Sequence, residues 1–184
     1  MSRNYLVFSI ESKFLNNWHY FYIIKKMRVY KIVIALILIC NILNIEAQTI
    51  SIDEIRREYS KAMENQALCE KWYARIQNDN STNNKLKAYK GGICMAMARF
   101  APITKKMAYI AQGKKLVEEA ISNSKEDVEI RFIRYGLQIN LPAIVSYNKN
   151  KVEDRNFINT HIDKLPNDAM KLAVKKYMEE TKNK

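Results

Sequence analysis

The sequence predicts an all-α fold of about six helices stacked as antiparallel hairpins, and three observations carry that expectation. Only four Gly and three Pro occur in 184 residues, too few for the turns of a β-sandwich. Apolar residues recur three and four apart over long stretches, the period of an amphipathic helix. Helix-starting signals, Ser or Asn followed three residues later by an acid, open several of those stretches.

The first 47 residues read as a leader. From Met27 the order is basic, apolar, small: Arg28 and Lys31 precede an unbroken apolar run from Ile32 to Cys40, and the segment ends at Ala47. That is the layout of a signal peptide, with cleavage expected before Gln48. Cys40 follows Leu38 and Ile39, not the small residue that lipid attachment requires. The alternative is an uncleaved anchor helix, for which the apolar run is shorter than the roughly 20 residues that span a bilayer. Either way Lys25, Lys26, Arg28 and Lys31 hold the N-terminal flank on the cytoplasmic side and place the remainder outside. Residues 1–26 are aromatic and unlike a leader, which points to a mis-assigned start upstream of Met27; if translated, they lengthen the cytoplasmic flank. Removal of the leader leaves residues 48–184, enough for one domain with a real core.

Within 48–184 the expected helices follow in order. Ser51 and Glu54 form a capping box, with Ile50 and Ile55 as its hydrophobic staple. The seam Ile52, Ile55, Tyr59, Ala62, Gln66, Cys69, Tyr73, Ile76 then predicts one continuous helix ending in the polar run Asn78–Asn84. A second helix is expected from about Lys85 to Arg99, stopping near Pro102, with Leu86, Tyr89, Ile93, Ala96, Met97 and Phe100 inward. Gly91 and Gly92 lie inside it, and two mid-helix glycines imply a close helix crossing at that level. A third helix reaches about Ser122 with Met107, Ile110, Val117, Ala120 and Ile121 buried. Ser124 and Asp127 are read as the capping box of a fourth, from about Lys125 to Asn140. Its apolar residues occupy two faces, Val128, Phe132, Tyr135 and Ile139 on one, Ile130, Ile133, Leu137 and Leu141 on the other, which makes it the most buried helix. After Pro142 and a turn through Ile144 and Tyr147, Asn150 and Glu153 open a fifth helix reaching Leu165. Beyond Pro166, a last amphipathic helix carries Met170, Ala173, Val174 and Tyr177, with a frayed tail after Glu180.

Gly113, Val117 and Ala120 have the small, large, small spacing of the second helix of a tetratricopeptide repeat, and Gly136 falls one residue from where the next repeat would place a small residue. Residues 103–140 resemble such a repeat on these positions, although Lys125 stands where the repeat usually has Pro and no 34-residue period runs through the chain. The segment from Ile50 to Thr181 as a whole is similar to small exported helical proteins of unknown function in Gram-negative bacteria. The resemblance implies stacked helical hairpins that present a groove to a protein or peptide, and no activity.

Few residues offer chemistry. Cys69 and Cys94 are placed symmetrically about the loop joining the first two helices, so an antiparallel hairpin brings them to one height. Two readings stand: a structural disulfide, worth about 3–4 kcal/mol on the chain-entropy model in an oxidising compartment, or two small apolar thiols in a helix seam. His161, the sole histidine of residues 48–184, has Asp154 on its side of the helix, which is short of the three or four ligands of a metal site. No metal or other cofactor is expected. Glu129, Arg131 and Arg134 lie on the helix expected to be most enclosed, so they must pair or line a cavity. One reading is an ion pair with a neighbouring helix through Glu118 or Glu119. The other is a groove in which Arg131 and Arg134 take an acidic peptide or anionic headgroup.

The net charge of +12 is divided: residues 1–47 hold six Lys/Arg and two Asp/Glu, and the rest holds 25 and 17, or +8. Of the 31 basic residues 22 are Lys, with no arginine cluster or aromatic platform, so the charge reads as a solvated lysine surface and no nucleic-acid partner is expected. The expected function is a periplasmic or secreted interaction or assembly module with a protein or peptide partner and no intrinsic catalysis. The alternatives are an envelope enzyme using His161 with Asp154 or Glu153, and a peripheral membrane binder using Lys171, Lys175 and Lys176. Apart from that peripheral mode, membrane contact is expected only through an uncleaved leader.

Overall fold

The computed structural model describes residues 26, 27, 30, 31, 34, 50–79 and 81–183. The chain divides into two units, Met1–Gln48 and Thr49–Lys184. Within the first, the described residues Lys26, Met27, Tyr30, Lys31 and Ile34 are helical. The rest of the leader, including most of the apolar run and the expected cleavage site after Ala47, lies outside the described residues.

The second unit is all-α, with seven helices and no strand among the described residues: α1 Ile52–Glu64, α2 Gln66–Ile76, α3 Asn84–Phe100, α4 Ile103–Asn123, α5 Val128–Asn140, α6 Lys151–His161 and α7 Asp168–Glu180. Short 3-10 turns, Ala143–Val145 and Ile162–Lys164, follow α5 and α6.

Seven helices stand where six were expected because the first is broken at Asn65. Asn65 is extended (φ −107°, ψ 117°); its N–H closes α1 on the Lys61 carbonyl and its side chain caps α2 by accepting from Leu68 N at 2.9 Å. An Asn that can bond locally to the backbone competes with continuation of a helix. Beyond the break Cys69 and Ile76 are buried as expected, but two positions differ. Gln66, expected inward, is exposed, and Trp72 takes the core position expected of Tyr73, fully buried with its indole N–H donated to Glu58 at 2.8 Å. The capping box also fails. Ser51 makes no side-chain cap bond, and Glu54 turns away from it to bind Arg75 through two hydrogen bonds of 2.6 and 3.0 Å. Ile50 and Ile55 do both enter the core.

The glycines of α3 mark the closest helix contact. A Cβ on Gly91 would lie 2.8 Å from the Gly113 carbonyl oxygen and 2.6 Å from Val117 Cγ2; one on Gly113 would lie 2.5 Å from the Gly91 carbonyl oxygen. The backbones of α3 and α4 therefore cross where neither can carry a side chain. Buried residues of α4 begin at Gly113, so Met107, expected inward, is 63 % exposed.

α5 starts later than expected. Asp127 is its cap, accepting from Glu129 N (3.0 Å) and Ile130 N (3.2 Å), while the Ser124 hydroxyl is taken by Asn84 at 2.8 Å. Lys125 and Glu126 consequently remain outside the helix. The two-faced pattern of α5 is realised: Ile130, Ile133 and Leu137 enter a large core with α1–α4, and Val128 and Tyr135 enter a smaller one with Ile158, Leu165, Val174 and Met178. Leu141 is extended ahead of Pro142 and ends the helix.

α6 stops at His161 and tightens into a 3-10 turn before Leu165. Asn150 does not cap it; its amide instead donates to Glu153 at 3.0 Å. Asn167 caps α7 by accepting from Met170 N at 2.9 Å. Ala173 is exposed, and Val174 and Met178 face the core. The expected fraying after Glu180 is corrected through Lys182, since Thr181 is buried against Tyr135 Oη at 3.0 Å and Arg155 donates to the Lys182 carbonyl at 2.6 Å.

Candidate functional site

The charges of α5 are the first candidates for chemistry, because α5 buries Glu129, Arg131, Arg134 and Gln138 together. The helical spacing of Arg131 and Arg134 puts both guanidinium groups against the first turn of α6, where Asp154 is fully buried. Arg134 grips Asp154 with two hydrogen bonds of 2.6 Å and donates a third, of 3.0 Å, to Glu118 on α4. Arg131 reaches Asp154 at 3.0 Å, Glu153 at 2.7 Å and the Lys125 carbonyl at 2.9 Å, and lies over the Phe157 ring. Tyr147 completes the cluster by donating to Glu118 at 2.6 Å; burial first, and then this bond, raise its phenol far above the ordinary value.

Glu129 occupies a second cluster on the opposite flank of α5. It accepts two bonds from Arg56 (2.7 and 2.6 Å) and one from Tyr89 (2.7 Å), with the Lys85 ammonium at 3.3 Å. Burial pushes its carboxyl up, but the bonds from Arg56 and Tyr89 outweigh it and hold the group below its ordinary value.

These contacts correct the arginine-groove expectation. Both Arg131 and Arg134 are engaged by carboxylates of the same chain, so they form a tie between α4, α5 and α6 and leave no open fork for an acidic ligand. Of the two partners anticipated, Glu118 is used and Glu119 instead approaches Lys87 and Lys115.

The remaining expected residues are dispersed. Cys69 and Cys94 are free and buried, with Cys69 Sγ 3.8 Å from the Ile93 carbonyl and Cys94 Sγ 3.5 Å from that of Tyr109. Burial pushes both thiols up to about 11, so neither is a nucleophile near neutral pH. His161 stacks on Phe157 with ring centroids 4.1 Å apart, and its Nδ1 lies 2.9 Å from the Phe157 carbonyl and the Thr160 hydroxyl. Asp154 and Glu153 face Arg131, and among the described residues no hydrogen bond joins His161 to either. Lys171 pairs with Asp168, Lys176 lies 3.9 Å from Glu180, and Lys175 is exposed beside both. Among the described residues no cluster of three metal-ligating side chains occurs, and no helix is long and apolar enough to cross a membrane.

Two features escape sequence reasoning. The opening turns of α4 leave Ile103 and Met107 80 % and 63 % exposed, four residues apart and so on one face. Gln138, one turn beyond Arg134, is 5 % exposed, yet neither its amide nitrogen nor its amide oxygen has a hydrogen-bond partner among the described residues. Such a group costs about 1–3 kcal/mol when left unpaired. It lines a cavity of 170 Å³ with Leu141, Pro142, Ala143, Tyr147 and Asn148. A polar residue on a helix apolar on both sides was the available signal for Gln138. Nothing in the periodicity distinguishes Met107 from a core residue.

Comparison of the chain with protein-family models, with curated proteins and with solved structures gives no match.

Proposed function

We propose that this chain is an exported helical module that binds a protein or peptide partner and performs no catalysis of its own. One observation carries the reading: α4 presents Ile103 and Met107 outward on one face, at the end of the helix that precedes its tight crossing with α3. Large apolar side chains grouped on a rigid helix are the usual core of a protein-binding surface. The proposed export rests on the leader, in which Arg28 and Lys31 precede the apolar run Ile32–Cys40. The absence of catalysis is argued from the pairing of the candidate groups, since Asp154 and Glu129 are each saturated by arginine.

The test is a photoreactive residue placed at Met107 in the full chain, expressed in the envelope of native-type cells, with a second probe at Lys175 as control. A discrete adduct from position 107 and none from 175 is the expected result. Equal labelling from both positions, or none from either, would overturn the proposal. The intact mass of the recovered chain, expected to begin at Gln48, tests the export part separately.

A further inference from the structure

We infer that the partner of α4 is an acidic amphipathic helix of another protein, which lies along the row Ile103, Met107 and Ile110 and sets carboxylates against Lys106 and Lys114. The inference rests on the reading of α4 as the binding surface and adds the chemistry of what it binds. Spacings of four, three and four put Ile103, Met107, Ile110 and Lys114 in one row along about 16 Å of helix. Ile103 and Met107 are exposed and Ile110 is half-buried, and from Ile103 to Gln112 no residue of α4 is buried. These opening turns, anchored by the backbone contact at Gly113, leave an apolar row uncovered.

The charge around that row has one sign. From Ala101 to Val117 the chain carries four Lys and no Asp or Glu. Lys106 flanks the row, three residues beyond Ile103 and four before Ile110, and Lys114 closes it. Among the described residues neither lysine forms an ion pair, and the Lys114 ammonium lies 5.2 Å from the centroid of the Tyr147 ring. The acids that follow are taken, Glu118 by Arg134 and Tyr147, Glu119 by Lys87 and Lys115. On α7, by contrast, Lys171 and Lys176 are matched on their own helix by Asp168 and Glu180. An apolar row beside unmatched cations is complementary to a helix with apolar residues three and four apart and carboxylates on their flank. Since Lys106 and Lys114 are separated by about two turns, the partner's carboxylates should be too. A second copy of this chain would bring the same lysines and be repelled. A bilayer would gain only Ile103 and Met107 as large exposed side chains from this row, less than the apolar face of a membrane-surface helix.

The experiment maps, by mass spectrometry, the adduct formed by the photoreactive residue at position 107 of the full chain in native-type cells. The crosslink is expected in a segment of another protein whose Asp or Glu residues flank apolar residues three and four apart. Lys106→Glu with Lys114→Glu should abolish that adduct, and Lys106→Arg with Lys114→Arg should keep it, both variants retaining their helical circular dichroism and thermal midpoint. The mapped segment, made as a synthetic peptide, is then titrated into the purified full chain while the Met107 methyl resonance is followed. Its binding should weaken as salt is raised. It should also bind about tenfold more weakly to the chain carrying Lys106→Gln with Lys114→Gln, about 1.4 kcal/mol for two exposed ion pairs. An adduct of undiminished yield in the charge-reversed chain, or one mapped to a segment without acids or to a second copy of this chain, would overturn the acidic helix and leave α4 standing as a binding surface. A crosslink to lipid, or none at all, would overturn both readings.

Discussion

The α3–α4 contact and the α5–α6 contact solve the same packing problem by different physics. α3 meets α4 through backbone, with Gly91 and Gly113 so close that each would place a Cβ within 2.8 Å of the other's carbonyl oxygen. α5 meets α6 through charge, with Asp154 held between Arg131 and Arg134. The first contact is a matter of shape and should be indifferent to pH and salt. The second is conditional, since a buried carboxylate is tolerable only while its guanidinium partners stay in place.

The largest effect is expected from breaking the second contact. Asp154→Ala leaves two enclosed arginines without their shared partner and should cost about 3–5 kcal/mol in urea unfolding. Replacing the whole trio, Arg131→Met with Arg134→Leu and Asp154→Leu, should recover most of that loss, because the cost lies in the unpaired charge and not in the missing attraction. Gly91→Ala comes next. It gains helix propensity but forces α3 and α4 apart, for a net loss of about 1–3 kcal/mol that should be the same at pH 5 and pH 8.

Acid sharpens the comparison on the other flank of α5. Glu129 lies below its ordinary value of 4.5 in the folded chain, so its contribution is fully present above that value and is lost as pH falls through the depressed one. Urea midpoints should hold from pH 7 to about 5 and fall below about 4.5. Glu129→Gln should flatten part of that acid limb; Glu153, also held low by Arg131, should retain some of the remainder. The smallest effect belongs to Gly136, where an added Cβ meets only Tyr177 Oη at 3.8 Å. Gly136→Ala should stabilise by about 0.5–1 kcal/mol, the opposite sign from Gly91→Ala at similar helical positions.

How much of this is legible in the sequence depends on the range of the interaction. The two-faced pattern of α5 translates directly into two cores, because helical period alone decides which side a residue takes. The Gly91 crossing is legible for the same kind of reason: a glycine in mid-helix is costly unless something needs the space. Asn65 was not, since an Asn in a polar stretch of a helix looks the same whether it faces solvent or caps the next helix. Its break then moved Trp72 inward and Gln66 out. The Arg131–Arg134–Asp154 tie was half legible. A buried helix with two arginines demands an acid, but Asp154, twenty residues from Arg134, is selected by the approach of α6, which periodicity does not encode. Gln138 required both its burial and its lack of a partner to be known.

The proposed division of labour is that α4 offers the binding surface while the cluster of Arg131, Arg134 and Asp154 only holds the fold. Its most direct test is photocrosslinking from position 107 in the chain carrying Arg131→Met, Arg134→Leu and Asp154→Leu, compared with the native chain. The same adduct in the same yield is expected from both. Loss of the adduct from a variant that keeps its helical circular dichroism and cooperative unfolding would contradict it, and would assign the arginines to binding.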